Sequence, residues 1–115
     1  MKKEYRLKKN HEIASIVLKR QRLSSEYYIL YFIYNKESEN TQVAISVSKK
    51  YGKAHKRNKA KRIVREIVRP NLSLLNRKKA VIVVKANSKG IDFELLKNDL
   101  TTLLKRVNKK GDKNE

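Results

Sequence analysis

The chain has 115 residues, with 30 lysines and arginines against 11 acids and a formal net charge of +19. That length suits one domain with a modest core, and 39% hydrophobic residues are too many for a compositionally disordered chain. The sequence holds no cysteine, which excludes disulfides and thiolate metal sites and fits a reducing cytoplasm. No apolar run approaches the ~20 residues that cross a bilayer, and no signal-peptide core follows the basic start MKKEYRLKKN.

Asn10 is a good helix N-cap, and Ile13, Ile16 and Val17 then share one helical stripe, so a short first helix is expected over 11–20. RLSS at 22–25 reads as a short edge strand. YYILYFIYN, rich in aromatic and β-branched residues and apolar on both faces, reads as a central strand. The polar KESEN makes a turn, and TQVAISVSKK alternates, with Val43, Ile45 and Val47 on one face and Ala44, Ser46 and Ser48 on the other. Gly52 breaks the pattern before a basic helix over about 55–68, which Pro70 ends. KAVIVVKAN at 79–87 is a buried strand, Ser88-Lys89-Gly90 turns the chain, and Asp92 caps a last helix with Leu96, Leu100, Leu103, Leu104 and Val107 on one stripe. The order α-β-β-β-α-β-α makes a single-domain α+β sandwich of one sheet with helices, loose at about 1–8 and 108–115.

A compact domain this basic repels itself, and anions relieve the repulsion, so nucleic acid is the first expected partner. The charge is concentrated in KRNKAKRIVRE at 56–66. At 100° per residue, Ala60, Ile63, Val64, Ile67 and Val68 share one arc of that helix, while Asn58, Lys61, Arg62, Arg65 and Arg69 share another. A scatter of solubilising lysines does not reserve a face for asparagine and arginine, whose planar fork binds phosphate bidentately. Lys49, Lys50, Lys53, Lys56 and Arg57 lead into or open the helix, Lys59 lies within it, and its N-terminus adds a partial positive charge. A purely solvated cationic face and a nuclear-import signal are the plainer readings of the same run. A second surface is suggested by Tyr27, Tyr28, Tyr31, Phe32 and Tyr34, which beside Ala44, Ser46 and Ser48 would form a shallow floor for unpaired bases. Each of these tyrosines has ordinary core as its alternative.

RLKKNHEI near the start, ISVSKKYGKAHKRNKAKRIVRE at 45–66 and AVIVVKAN later resemble, in order and spacing, the bacterial ribonuclease P protein subunit over nearly the whole chain. The resemblance implies a non-catalytic protein that binds a large catalytic RNA. Together the pair removes the 5′ leader of precursor tRNA in the cytoplasm, using Mg²⁺ held by the RNA and substrate, with no membrane and no obligate protein partner. It also implies one mixed sheet with a left-handed βαβ crossover, against the usual right-handed rule. By position, the family's basic helix falls on Arg57, Asn58, Lys61, Arg62 and Arg65, and its leader-binding cleft on Ile13, Val17, Tyr31 and Ser46. The family commonly has aromatic residues where this chain has Ile13 and Val17, and often arginine where it has Lys59. The implied cleft therefore holds a leader by shape and by Tyr31 instead of an aromatic sandwich.

The acids offer no chemistry of their own. Glu37 and Glu39 fall in a turn, Asp92, Glu94 and Asp99 near or on the last helix, and His11 and His55 stand alone near helix starts. A protein-only nuclease needs clustered carboxylates for metal or a histidine pair. A general RNA-binding, ribosomal or RNA-chaperone protein shares the charge but not the 45–66 signature. A helix-turn-helix DNA reader needs two adjacent helices, and strands flank the basic one here.

Overall fold

The computed structural model describes residues 6–7, 10–19, 21–36 and 40–110. In chain order the elements are α1 (Asn10–Leu18), β1 (Arg22–Ser24), β2 (Tyr28–Tyr34), β3 (Gln42–Val47), α2 (Ala54–Val68), β4 (Lys78–Val84) and α3 (Phe93–Lys110). Short 3-10 turns at Lys49–Tyr51, Arg69–Leu75 and Ala86–Ser88 join them. The strands make one mixed sheet in the order β1-β2-β4-β3, with β4 antiparallel to β2 and parallel to β3. β3, α2 and β4 thus form the parallel crossover unit to which the resemblance attaches a left hand.

Period-two alternation sends side chains to two unequal faces. Tyr28, Leu30, Phe32, Val43, Ala80, Ile82 and Val84 meet α2 and α3 through Ala60, Val64, Ile67, Leu100, Leu103 and Leu104, and this is the main core. Each fully buried aliphatic or aromatic side chain there contributes about 1.5–3 kcal/mol. Burial, followed by the nearby Asp99 carboxylate, raises the pKa of Tyr28 above its ordinary value. Its hydroxyl therefore stays protonated in the core.

Among the described residues, the other face is covered by α1 and by Leu7 before it. Leu7, Ile16, Ala44 and Val81 are buried there, with Ile13, Val17, Tyr31, Ile33 and Val83 only partly covered. α1 is tied down at one end of the sheet, where Lys79 Nζ meets Glu12 Oε2 at 2.8 Å. A narrow helix over a four-stranded sheet leaves a cleft.

The ends of the elements have local causes. The Asp92 carboxylate accepts the Glu94 N–H at 3.3 Å, the cap its position predicts. Pro70 stops α2 at Val68 but not the helical trend: the chain runs on as a 3-10 turn, and Asn71 Nδ2 donates to the orphan Ile67 carbonyl at 2.8 Å. The Lys49–Tyr51 turn and this extension carry no periodic signal, and the turn expected at Ser88–Gly90 opens two residues earlier, as the 3-10 turn Ala86–Ser88. α1 covers 10–18 where 11–20 was expected, and α3 continues through 108–110, so that part of the tail is helical. At the expected loose start, Arg6 bridges to Val43 and the Leu7 N–H donates to the Val43 carbonyl at 2.9 Å, so 6–7 are held on the sheet. Residues 1–5, 8 and 111–115, the Asn10 side chain, and Glu37 and Glu39 lie outside the described residues. Among the described residues no helix is long and apolar enough to cross a membrane.

Candidate nucleic-acid interface

The approach to α2 is built to present cations. Ser48 Oγ caps the Lys49–Tyr51 turn by accepting the Lys50 N–H at 3.1 Å, which leaves Lys49 and Lys50 exposed. Gly52 turns the chain at φ +152°, a conformation L side chains rarely adopt. Lys53, the N-cap residue of α2, makes no side-chain cap, so the positive end of the helix has no competing acceptor from that position. Arg57 is half-buried, and its Nε donates to the Gly52 carbonyl at 3.2 Å. It braces the loop as well as adding charge.

The expected arcs of α2 are realised and refined. Ala60, Val64, Ile67 and Val68 are buried, while Asn58, Arg62 and Arg69 are exposed along the outer side. Lys61 and Arg65 are half-buried because they lean toward β3, where they line a groove of about 240 Å³ with Arg6, Leu7, Ile13 and Ala44. Among the described residues none of Asn58, Lys61, Arg62 or Arg65 is held by a carboxylate, so their donors remain available to phosphate. Lys56 and Lys59 point to the opposite flank of α2 and leave this arc.

Ile13 belongs to both the groove and the cleft, so the basic arc and the cleft meet along β3. Ile13, Val17 and Tyr31 come together in the cluster under α1. Ser46 is exposed on the same sheet face, in register with Val83. The expected floor of tyrosines beside small polar residues needs correction. β4 enters between β2 and β3, so the row across the sheet is Tyr31, Val81, Ala44, and the next is Ile29, Val83, Ser46. Tyr28 points into the main core, Tyr27 packs against its edge, and Tyr34 lies against the Arg77 guanidinium, 5.6 Å from the ring centroid. Only Tyr31 of the five aromatic residues in that run faces the cleft.

Arg22 is the residue the sequence reading missed. Its register partner is Tyr31, its Nη1 donates to the Tyr31 hydroxyl at 3.1 Å, and its guanidinium lies 5.8 Å from the ring centroid. The cleft therefore has a cation on its tyrosine wall, visible in sequence only once the 22–24 strand is paired to 29–31. Among the described residues no group of three or more His, Cys, Asp or Glu gathers where it could hold a metal ion. His11 and His55 are exposed, and Asp99 is used structurally: it accepts from Ser25 Oγ at 2.6 Å and from the Tyr27 N–H at 3.1 Å.

A sequence model of the ribonuclease P family matches residues 1–108. The ribonuclease P protein component of Phytoplasma australiense is 40% identical over 111 residues, covering 94% of this chain and 95% of that one. The solved RNase P protein of Staphylococcus aureus superposes with a TM-score of 0.83 at 33% identity, over 90% of this chain and 95% of that one. The RNase P protein from Thermotoga maritima superposes with a TM-score of 0.79 at 31% identity, over 88% and 96%.

Proposed function

We propose a function on one premise: this chain belongs to the ribonuclease P protein family. It is a protein subunit of that tRNA-processing ribonucleoprotein endoribonuclease, and its partner is the RNA subunit. Beyond that, our reading is that the α2 arc of Asn58, Lys61, Arg62 and Arg65 holds phosphates of RNA, with Lys49, Lys50, Lys53, Arg57 and Arg69 extending the same field. The cleft of Ile13, Val17, Tyr31 and Ser46 receives the single-stranded 5′ leader of precursor tRNA, and Arg22 belongs with it. Base stacking falls to Tyr31, because the α1 wall is aliphatic.

The division of labour follows from the chemistry of the side chains. In this reading Mg²⁺ held by the RNA and the substrate would supply the hydrolytic chemistry, as the resemblance implies. The protein's groups bind and orient: forked cations on backbone phosphates, and a ring under a base. We place the protein in the cytoplasm, with no obligate protein partner.

The observation that carries this reading is the continuity of the cationic arc with a partly apolar cleft through the groove that Ile13, Lys61 and Arg65 share. The test is reconstitution with the catalytic RNA at low Mg²⁺ and a precursor tRNA bearing a labelled leader. Cleavage at the mature 5′ end should require both components. Cleavage by RNA-free protein, or no help from the protein at limiting Mg²⁺, would overturn the reading.

A further inference from the structure

A further concavity lies away from the cleft, on the α2/α3 side of the sheet. It has a volume of about 410 Å³ and runs between Tyr51, the first half of α2 and the chain entering α3. That size falls in the range of small-ligand pockets. Its lining divides by chemistry. Lys56, Lys59 and Lys89 bring three ammonium groups and no carboxylate, while Ala60, Ile63, Ile91 and Leu96 make an apolar floor. Lys89 Nζ rests over the Tyr51 ring, 5.4 Å from its centroid. Gly90, at φ +70°, turns the chain over the pocket, and the space where a Cβ would stand is open.

Three cations with no carboxylate partner among the described residues, beside an apolar floor, fit a ligand that is anionic at one end and flat and apolar at the other. Inorganic phosphate would leave the floor unused, and a purely apolar ligand would leave the lysines unused. We propose that this pocket takes one unpaired nucleotide of the RNA subunit, its phosphate among Lys56, Lys59 and Lys89 and its base on the floor beside Tyr51. A base still stacked in a duplex cannot enter a concavity of this kind, so the nucleotide is bulged or in a loop. The sheet separates the pocket from the cleft under α1, so one short leader strand does not fill both. This inference rests on the reading that α2 binds RNA, and it adds a base-holding point on the flank that Lys56 and Lys59 occupy.

Two measurements test it on the full chain. In the first, backbone amides of the free protein are followed by NMR during titration with uridine, adenosine, cytidine and guanosine 5′-monophosphates, and separately with inorganic phosphate. Saturating shifts confined to Tyr51, Ala60, Ile63 and Ser88–Ile91, with at least one nucleotide binding roughly fivefold or more tighter than phosphate, support the pocket. Shifts scattered over lysines and equal for phosphate overturn it. In the second, affinity for the RNA subunit is compared for Lys89→Glu and Lys105→Glu, an equal charge change at an exposed position outside the lining. Lys89→Glu should weaken binding at least about fivefold more than the control, because it removes one charge-assisted contact to the phosphate and sets a carboxylate in its place. Tyr51→Ala should act in the same direction. Because Tyr51 also packs on the core, the exposed Lys89 variant decides if Tyr51→Ala unfolds. Equal losses for Lys89→Glu and Lys105→Glu, with Arg62→Ala/Arg65→Ala still harmful, overturn the pocket and leave the basic arc standing. No loss from any of them overturns the reading of α2 and the pocket with it.

Discussion

Two single side chains separate holding the fold from the RNA-holding role proposed for the cleft. Asp99 accepts from the Ser25 hydroxyl and from the Glu26 and Tyr27 N–H groups, so one carboxylate pins the turn between β1 and β2 to α3. Asp99→Ala leaves the partly buried Ser25 and Tyr27 donors, and the exposed Glu26 N–H, without that acceptor. It should cost about 1–3 kcal/mol in urea unfolding while leaving the salt dependence of RNA binding unchanged. An unchanged unfolding midpoint would show that water replaces the carboxylate fully. Tyr31 is the opposite case, a half-buried ring in the cleft with Arg22 on its edge and face. Tyr31→Ala should weaken binding of precursor tRNA by about 1–3 kcal/mol and mature tRNA far less, because only the precursor carries an unpaired leader to stack. Tyr31→Phe keeps the ring and removes only the hydroxyl that Arg22 meets, so its loss should be smaller. Equal losses for both RNAs would place Tyr31 with the RNA subunit or the core.

Among the elements, α2 was the most legible and the sheet the least. The helical period alone separates Ile63, Val64 and Ile67 from Asn58, Arg62 and Arg65, and the structure keeps that separation. Replacing Arg62 and Arg65 together by alanine should therefore spare the fold and flatten the plot of log affinity against log salt by up to ~2 units. The control is Lys97→Ala/Lys105→Ala on the exposed side of α3. If both pairs lower affinity and slope alike, net charge is the whole effect and the arc has no special role. Strand identities were equally plain in the alternation within 41–50 and the apolar stretches within 27–35 and 79–87, though the strands proved shorter than those readings, at Gln42–Val47, Tyr28–Tyr34 and Lys78–Val84. Their order was not, because the insertion of β4 between β2 and β3 is a pairing between distant segments with no local signal. That one step displaced the imagined tyrosine floor; the Arg22–Tyr31 partnership needed the β1–β2 register, and the pocket draws its walls from four separate stretches. The resemblance to a known family located Ile13, Val17, Tyr31 and Ser46. Periodicity alone would have left their common face undecided.

The molecule as a whole carries +19 on a body whose radius of gyration is 13.3 Å, so many like charges lie close together in the native state and farther apart when the chain unfolds. Self-repulsion thus acts mainly against folding, and an anion that binds the native arrangement of Lys49, Lys50, Arg62, Arg65 and their neighbours favours it. Two mechanisms give the same sign and differ in size. Screening depends on ionic strength alone. Site binding depends on the anion, and at ten times its Kd adds about 1.4 kcal/mol, a shift of several degrees in Tm for a domain of this length. Sulfate or phosphate at ten-millimolar scale should therefore raise Tm by several degrees more than sodium chloride of matched ionic strength. The excess should shrink when Arg62 and Arg65 are alanine, since their forked donors are what distinguish an oxyanion from chloride. Matched curves for sulfate and chloride would reduce the stabilisation to screening and remove the argument that the native surface gathers phosphate sites. A sulfate excess that survives the double substitution would move those sites to the lysines before α2 or to the pocket beside Tyr51.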